Sequence, residues 1–122
     1  MSDELPDNVL LVDGTALAEL ADVVGQDNLE KLLVLFSRAT RETVDKIVGL
    51  QIAGDWTGLR RAAHALAGGA LSLSAGSLAA AARQLECASV DPARAEITAL
   101  CNLADATIAQ AERVVAEIAS NR

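Results

Sequence analysis

The chain has 122 residues, a formal net charge of −7 and 52% apolar residues, yet only one tryptophan and one phenylalanine. The acidic balance leaves no basic stripe to meet a phosphate backbone, which excludes nucleic acid as a partner. No apolar run reaches the ~20 residues of a membrane span, and the acidic start Met1-Ser2-Asp3-Glu4 is unlike a secretory signal. A cytoplasmic protein away from the membrane is therefore expected.

A chain of this length buries about two thirds of its unfolded surface, enough for one core, so a single domain over residues 1–122 is expected. That core must be aliphatic. Alanine and leucine favour helices, and the β-branched residues are scattered rather than alternating, so the fold class is all-α. Residues 1–12, with Pro6 and the run Val9-Leu10-Leu11-Val12, read as an arm that docks onto the bundle. Asp13 offers an N-cap to a short helix with Leu17, Leu20, Val23 and Val24 inward, and Gly25 ends it. Asp27 followed by Glu30 resembles a capping box, opening a second helix over about 28–52. Its stripe is Leu29, Leu32, Leu33, Phe36, Thr40, Thr43, Ile47 and Leu50.

Ala53-Gly54-Asp55 breaks the chain before a third helix, about Trp56 to Leu71. Ser74 can cap a fourth over about 75–88, with Leu78, Ala81, Ala82 and Leu85 inside. Asp91-Pro92 is a start signal for a fifth over about 92–119, with Ile97, Leu100, Cys101, Ala104, Ile108, Ala111, Val115 and Ile118 inward. Short loops make successive helices antiparallel neighbours. The predicted architecture is an antiparallel up-down four-helix bundle with a short extra N-terminal helix. Cys87 and Cys101 lie in separate helices and are expected as free, buried thiols. Two cysteines and one histidine do not make a zinc site, so no metal or cofactor is expected.

The one histidine, His64, stands in Arg60-Arg61-Ala62-Ala63-His64-Ala65-Leu66-Ala67-Gly68-Gly69. On a helical wheel at about 100° per residue it lies about 200° from the apolar anchor Leu66. Arg60 and Arg61 share its side, and two arginines cannot face an aliphatic core unpaired. His64 is therefore predicted to be exposed, or at most half-buried at a helix edge. Gly68 and Gly69 follow, each costing up to about 1 kcal/mol in a helix relative to alanine. Such bareness suits either close approach of another backbone within the bundle or close approach of a second protein.

His64-Ala65-Leu66-Ala67-Gly68, then Ser74-Ala75-Gly76-Ser77-Leu78, then Leu85-Glu86 resembles the pattern of the histidine-containing phosphotransfer (HPt) domain family. The stretch from Gly54 to His64 and the pair Leu35-Phe36 are similar to the family as well. The resemblance covers nearly the whole chain. It implies that His64 is a phosphoryl acceptor, that Gly68 lets a partner reach the imidazole, and that Glu86 hydrogen-bonds and orients the ring. A carboxylate on one ring N–H fixes the tautomer and leaves the other nitrogen nucleophilic. The implied partners are response-regulator receiver domains and a hybrid sensor kinase. The receiver would bring Mg²⁺ and dock over the second and third helices, on Phe36, Ala39, Thr40, Ala67, Gly68 and Leu71. With no P-loop, the chain is expected to be a carrier without kinase activity of its own, and a monomer.

Two positions depart from the family. Its lysine three residues after the histidine is Ala67 here, and its usual glycine at residue 74 is Ser74. Arg60 and Arg61 could supply the missing charge, with Arg83 a weaker candidate; each also reads as an ordinary surface arginine. Phe36 reads first as core packing, and Glu86 also reads as a solvated helix residue. The missing lysine supports an alternative, a module that binds a receiver or another helical partner without chemistry. A purely structural bundle would bind no receiver.

Overall fold

The computed structural model describes residues 10–121 and contains five helices: α1 (Gly14–Val24), α2 (Gln26–Ala53), α3 (Trp56–Ser72), α4 (Gly76–Cys87) and α5 (Arg94–Ser120). Helix α2 packs on α3 and α5, α3 packs on α4, and α4 packs on α5; α1 lies against α2 and α5. The core is aliphatic as expected, with Leu17, Leu29, Ile47, Leu59, Leu78 and Ile108 fully enclosed. Helices α3 and α4 share the most extensive contact. They meet through small side chains, Ala63, Ala67 and Ala70 on one side and Ala75, Ala79 and Ala82 on the other, all buried. Among the described residues, no helix is long and apolar enough to cross a membrane.

The helix ends show where side-chain signals compete with backbone geometry. Asp13 caps α1 as expected, accepting from the Ala16 N–H at 3.1 Å. Gly25, at φ 90°, both closes α1 and opens α2, so the two helices are joined by one residue. Helix α2 therefore starts at Gln26, Asp27 falls inside its first turn, and the expected capping box does not form. Val23 is 82% exposed, against expectation. It lies about 240° round the wheel from Leu17, on the opposite side of a narrow three-turn helix.

After α2, Gly54 at φ 71° donates to the Gln51 carbonyl, and Asp55 N–H reaches back to Leu50. Ser74 repeats this arrangement after α3. At φ 57° it donates to the Leu71 carbonyl, and Ala75 N–H reaches back to Ala70. Both are Schellman closures with the left-handed residue that glycine usually fills. Ser74 is thus committed to ending α3 and is not the expected cap of α4, which opens at Ala75 without a side-chain cap. Ser74→Gly should relieve the left-handed strain and stabilise the fold by about 0.5–1 kcal/mol, raising the melting temperature by a few degrees. An unchanged or lower melting temperature by circular dichroism would contradict this.

Asp91 also fails to cap its helix. Helix α5 begins at Arg94 after Ala93, with no side-chain cap, and Pro92 is buried upstream of it. The Asp91 carboxylate is instead paired with Arg60 of α3 at 3.5 Å.

Of the arm, Leu11 and Val12 dock onto the bundle, whereas Leu10, part of the same apolar run, is 84% exposed. Leu11 and Val12 are buried, and both their backbone N–H groups donate to Gln110 Oε1 of α5, at 2.6 and 2.9 Å. Asp13 N–H donates to the Ser74 carbonyl, tying the arm to the α3–α4 corner. Residues 1–9 of the expected arm lie outside the described residues.

Both cysteines are free, but only Cys101 is even partly enclosed; Cys87, the last residue of α4, lies about 200° round the helix from the buried Leu85 and is exposed. Burial pushes the Cys101 thiol up, with the carboxylates of Asp105 and Asp45 adding to the effect. An alkylating reagent at neutral pH should therefore modify Cys87 first, with Cys101 following only at more alkaline pH or on unfolding. Equal rates at the two positions in a mass-spectrometric time course would refute this ordering.

Candidate functional site

His64 stands in the middle of α3 with its side chain 76% exposed, as the wheel predicts. Its Nδ1 lies 2.7 Å from Oε1 of Glu86, whose side chain is 30% exposed. The alanine seam sets this contact. Small side chains are buried along both helices, α3 and α4 share the most extensive contact of the bundle, and the last turn of α4 carries Glu86 alongside the ring. A carboxylate can only accept, so Nδ1 must carry the hydrogen; in the neutral ring Nε2 then keeps its lone pair. The ring is thus held by one edge, and the other faces away from α4.

The two arginines that precede His64 are not equivalent. Arg60 is half-buried; its Nε donates to the Ala88 carbonyl at 3.4 Å, and its guanidinium pairs with Asp91. Arg61 is exposed and makes no hydrogen bond or ion pair with a described residue. Arg83, on α4, is exposed as well.

Gly68 and Gly69 are exposed, and a methyl group built on either would meet nothing within 4 Å. Close backbone approach inside the bundle is therefore not the reason for these glycines. Ala67, expected on the docking face, is 3% exposed and belongs to the seam with α4. The reason is angular: Ala67 follows the core residue Ala63 by four positions, about 40° round the helix, and shares its direction.

On the α2 side of the histidine face runs a groove of about 270 Å³. Phe36 and Thr40 form buried parts of its wall, and Ala39, Ala65 and Gly69 line it closer to solvent. Phe36 thus serves both as core and as groove floor. Leu71 is 51% exposed near the end of α3, and Leu35 at the groove's rim is 59% exposed. Leu32, placed in the buried stripe from its spacing, is in fact at this rim. Leu32 and Leu35 were missed as surface residues. The signal was present: five consecutive apolar residues, Leu32 to Phe36, cannot all face one side of a helix. Among the described residues, no three histidine, cysteine or acidic side chains gather as metal ligands.

No curated protein and no solved structure matches the chain. A family model described as Hpt domain matches residues 31–113, a span that holds most of α2 and α5, all of α3 and α4, and both His64 and Glu86. Since that match covers well over half of the chain and includes the histidine face just described, the protein belongs to the Hpt domain family.

Proposed function

We propose that the protein relays a phosphoryl group between receiver-domain aspartates of a two-component phosphorelay, with His64 as the carrier. Hpt domains are phosphocarrier modules that interact with receiver domains and kinases, and this reading assigns the residues. One observation carries it: an exposed imidazole whose Nδ1 is held by Glu86 at 2.7 Å, leaving Nε2 open to solvent.

In the proposed step, the Nε2 lone pair attacks the phosphorus of an aspartyl phosphate in line. The N–P bond forms as the P–O bond breaks, and its electron pair leaves on the aspartate carboxylate. The Nδ1 proton stays in place, so the ring becomes positively charged, and the Glu86 carboxylate stabilises that charge. Transfer to a second receiver runs the same step in reverse. Such chemistry rests on positioning and charge neutralisation. The receiver contributes Mg²⁺, and this chain contributes no nucleotide site. The receiver docks over the groove between α2 and α3, and Gly68 leaves room for it to reach the ring.

The remaining features of this reading are one domain over the whole chain, an antiparallel up-down arrangement of α2 to α5, a monomer, and a cytoplasmic location. Incubation with phosphorylated receiver domains should move the label onto this chain. A second reading, a receiver-binding module without chemistry, is favoured by Ala67 standing where the family has lysine. It predicts a stable complex and no label, and that outcome would overturn the relay assignment.

A further inference from the structure

We propose that Arg61, and not its neighbour Arg60, supplies the positive charge that meets the phosphoryl group on His64. The assignment rests on the phosphotransfer reading above. The position where the family carries lysine is a buried methyl group here, Ala67 in the α3–α4 seam, so that position supplies no cation. Three arginines remain within range of the site by position: Arg60 and Arg61 on α3, and Arg83 on α4.

Arg60 is already engaged. Its guanidinium is turned toward the end of α4, where it donates to the Ala88 carbonyl and pairs with Asp91. Moving it to a phosphoryl group would abandon a carbonyl and a carboxylate together. Its place in the fold is to hold the end of α4, two residues from Glu86. Arg83 is exposed too, but it lies on α4, three residues before Glu86 and on the same side of that helix, so it stands on the Nδ1 side of the ring and away from Nε2.

Arg61 has neither constraint. It is exposed, and no described group competes for it. Residues three apart on a helix are neighbours, with Cβ atoms about 5–6 Å apart. Helical side chains lean toward the N-terminus, so the His64 ring leans over the turn that carries Arg61. On the wheel Arg61 lies about 60° from His64 and about 20° from Gly68, on the groove side of the ring. Glu86 holds Nδ1 from the α4 side, and the two ring nitrogens point in nearly opposite directions. A phosphoryl group on Nε2 therefore sits away from Glu86 and on the side of α3 that Arg61 occupies. The guanidinium presents paired N–H donors that suit two phosphoryl oxygens at once. It exchanges no proton during the transfer. Its effect is electrostatic, on the charge spread over the three equatorial oxygens.

The test is single-turnover transfer from a phosphorylated receiver to the wild type and to Arg61→Ala, Arg61→Lys and Arg60→Ala, across receiver concentrations. Each variant is first melted by circular dichroism. Arg61→Ala should slow transfer at saturating receiver by about tenfold, and Arg61→Lys should recover most of the loss. Arg60→Ala should lower the melting temperature and leave the saturated rate within about twofold of the parent. An effect of Arg61→Ala on half-saturation alone would make the residue a docking contact and overturn the assignment. So would loss of the saturated rate in Arg60→Ala but not in Arg61→Ala. No label on the wild type would overturn the phosphotransfer reading and this assignment with it. Label on the wild type with no Arg61 effect would overturn this assignment alone.

Discussion

His64→Ala takes up no label from a phosphorylated receiver, and it melts within about 0.5 kcal/mol of the parent protein. Both halves of this expected result come from the same geometry. The ring is mostly exposed and contributes little to the core, and alanine is the better helix former at an interior position. Its Glu86 partner is partly exposed, so the freed carboxylate can be hydrated. All the nucleophilic capacity of the proposed site, by contrast, resides in Nε2 of this ring, and the chain has no second histidine. Glu86→Ala should still accept label, but more slowly. Partners that orient imidazoles in metal sites are worth about ten- to a hundredfold, and the lower end of that range suits this exposed pair. Glu86→Gln should fall between, because an amide oxygen still accepts from Nδ1 but brings no charge. Autoradiography of the transfer reaction beside a thermal melt decides the matter. Undiminished label on His64→Ala would remove this residue from the mechanism.

Gln110→Ala should be the most damaging single truncation of a polar side chain, costing about 2–4 kcal/mol and lowering the melting temperature by about 10 °C. Its Oε1 accepts two consecutive backbone N–H groups, from Leu11 and Val12, both buried. Each buried donor left unmet costs about 1–3 kcal/mol. If the arm detaches instead, hydration satisfies the donors but the apolar burial of Leu11 and Val12 is lost, a penalty of similar size. Hydrogen exchange separates the two outcomes, because detachment removes protection from the Leu11 and Val12 amides. A loss under about 1 kcal/mol would show that the arm does not depend on this side chain.

Gln110 also shows what periodicity cannot reveal. It stands among the apolar residues of α5, and its partner lies 98 residues upstream in Val12, so no local pattern announces it. The helix bodies were legible because their apolar spacing is long and regular. Their ends were less so. Asp27, Ser74 and Asp91 each look like a cap, and none of them caps. Gly25 and the Schellman closure at Ser74 set two of those ends through backbone conformation, and Arg60 draws Asp91 away to a neighbouring helix.

Composition and helical spacing are enough to specify that the chain is helical, that its core is aliphatic, and that His64 faces outward. Each of these follows from local composition and the angle between residues on one helix. Which groups meet the histidine depends on how the helices pack. Glu86 reaches Nδ1 because an alanine seam lets α4 lie close to α3, and Ala67 disappears into that same seam. Arg60 and Arg61 are adjacent in the chain and chemically identical. They differ because one points to the end of α4 and the other to solvent, a distinction that exists only once the helices are packed.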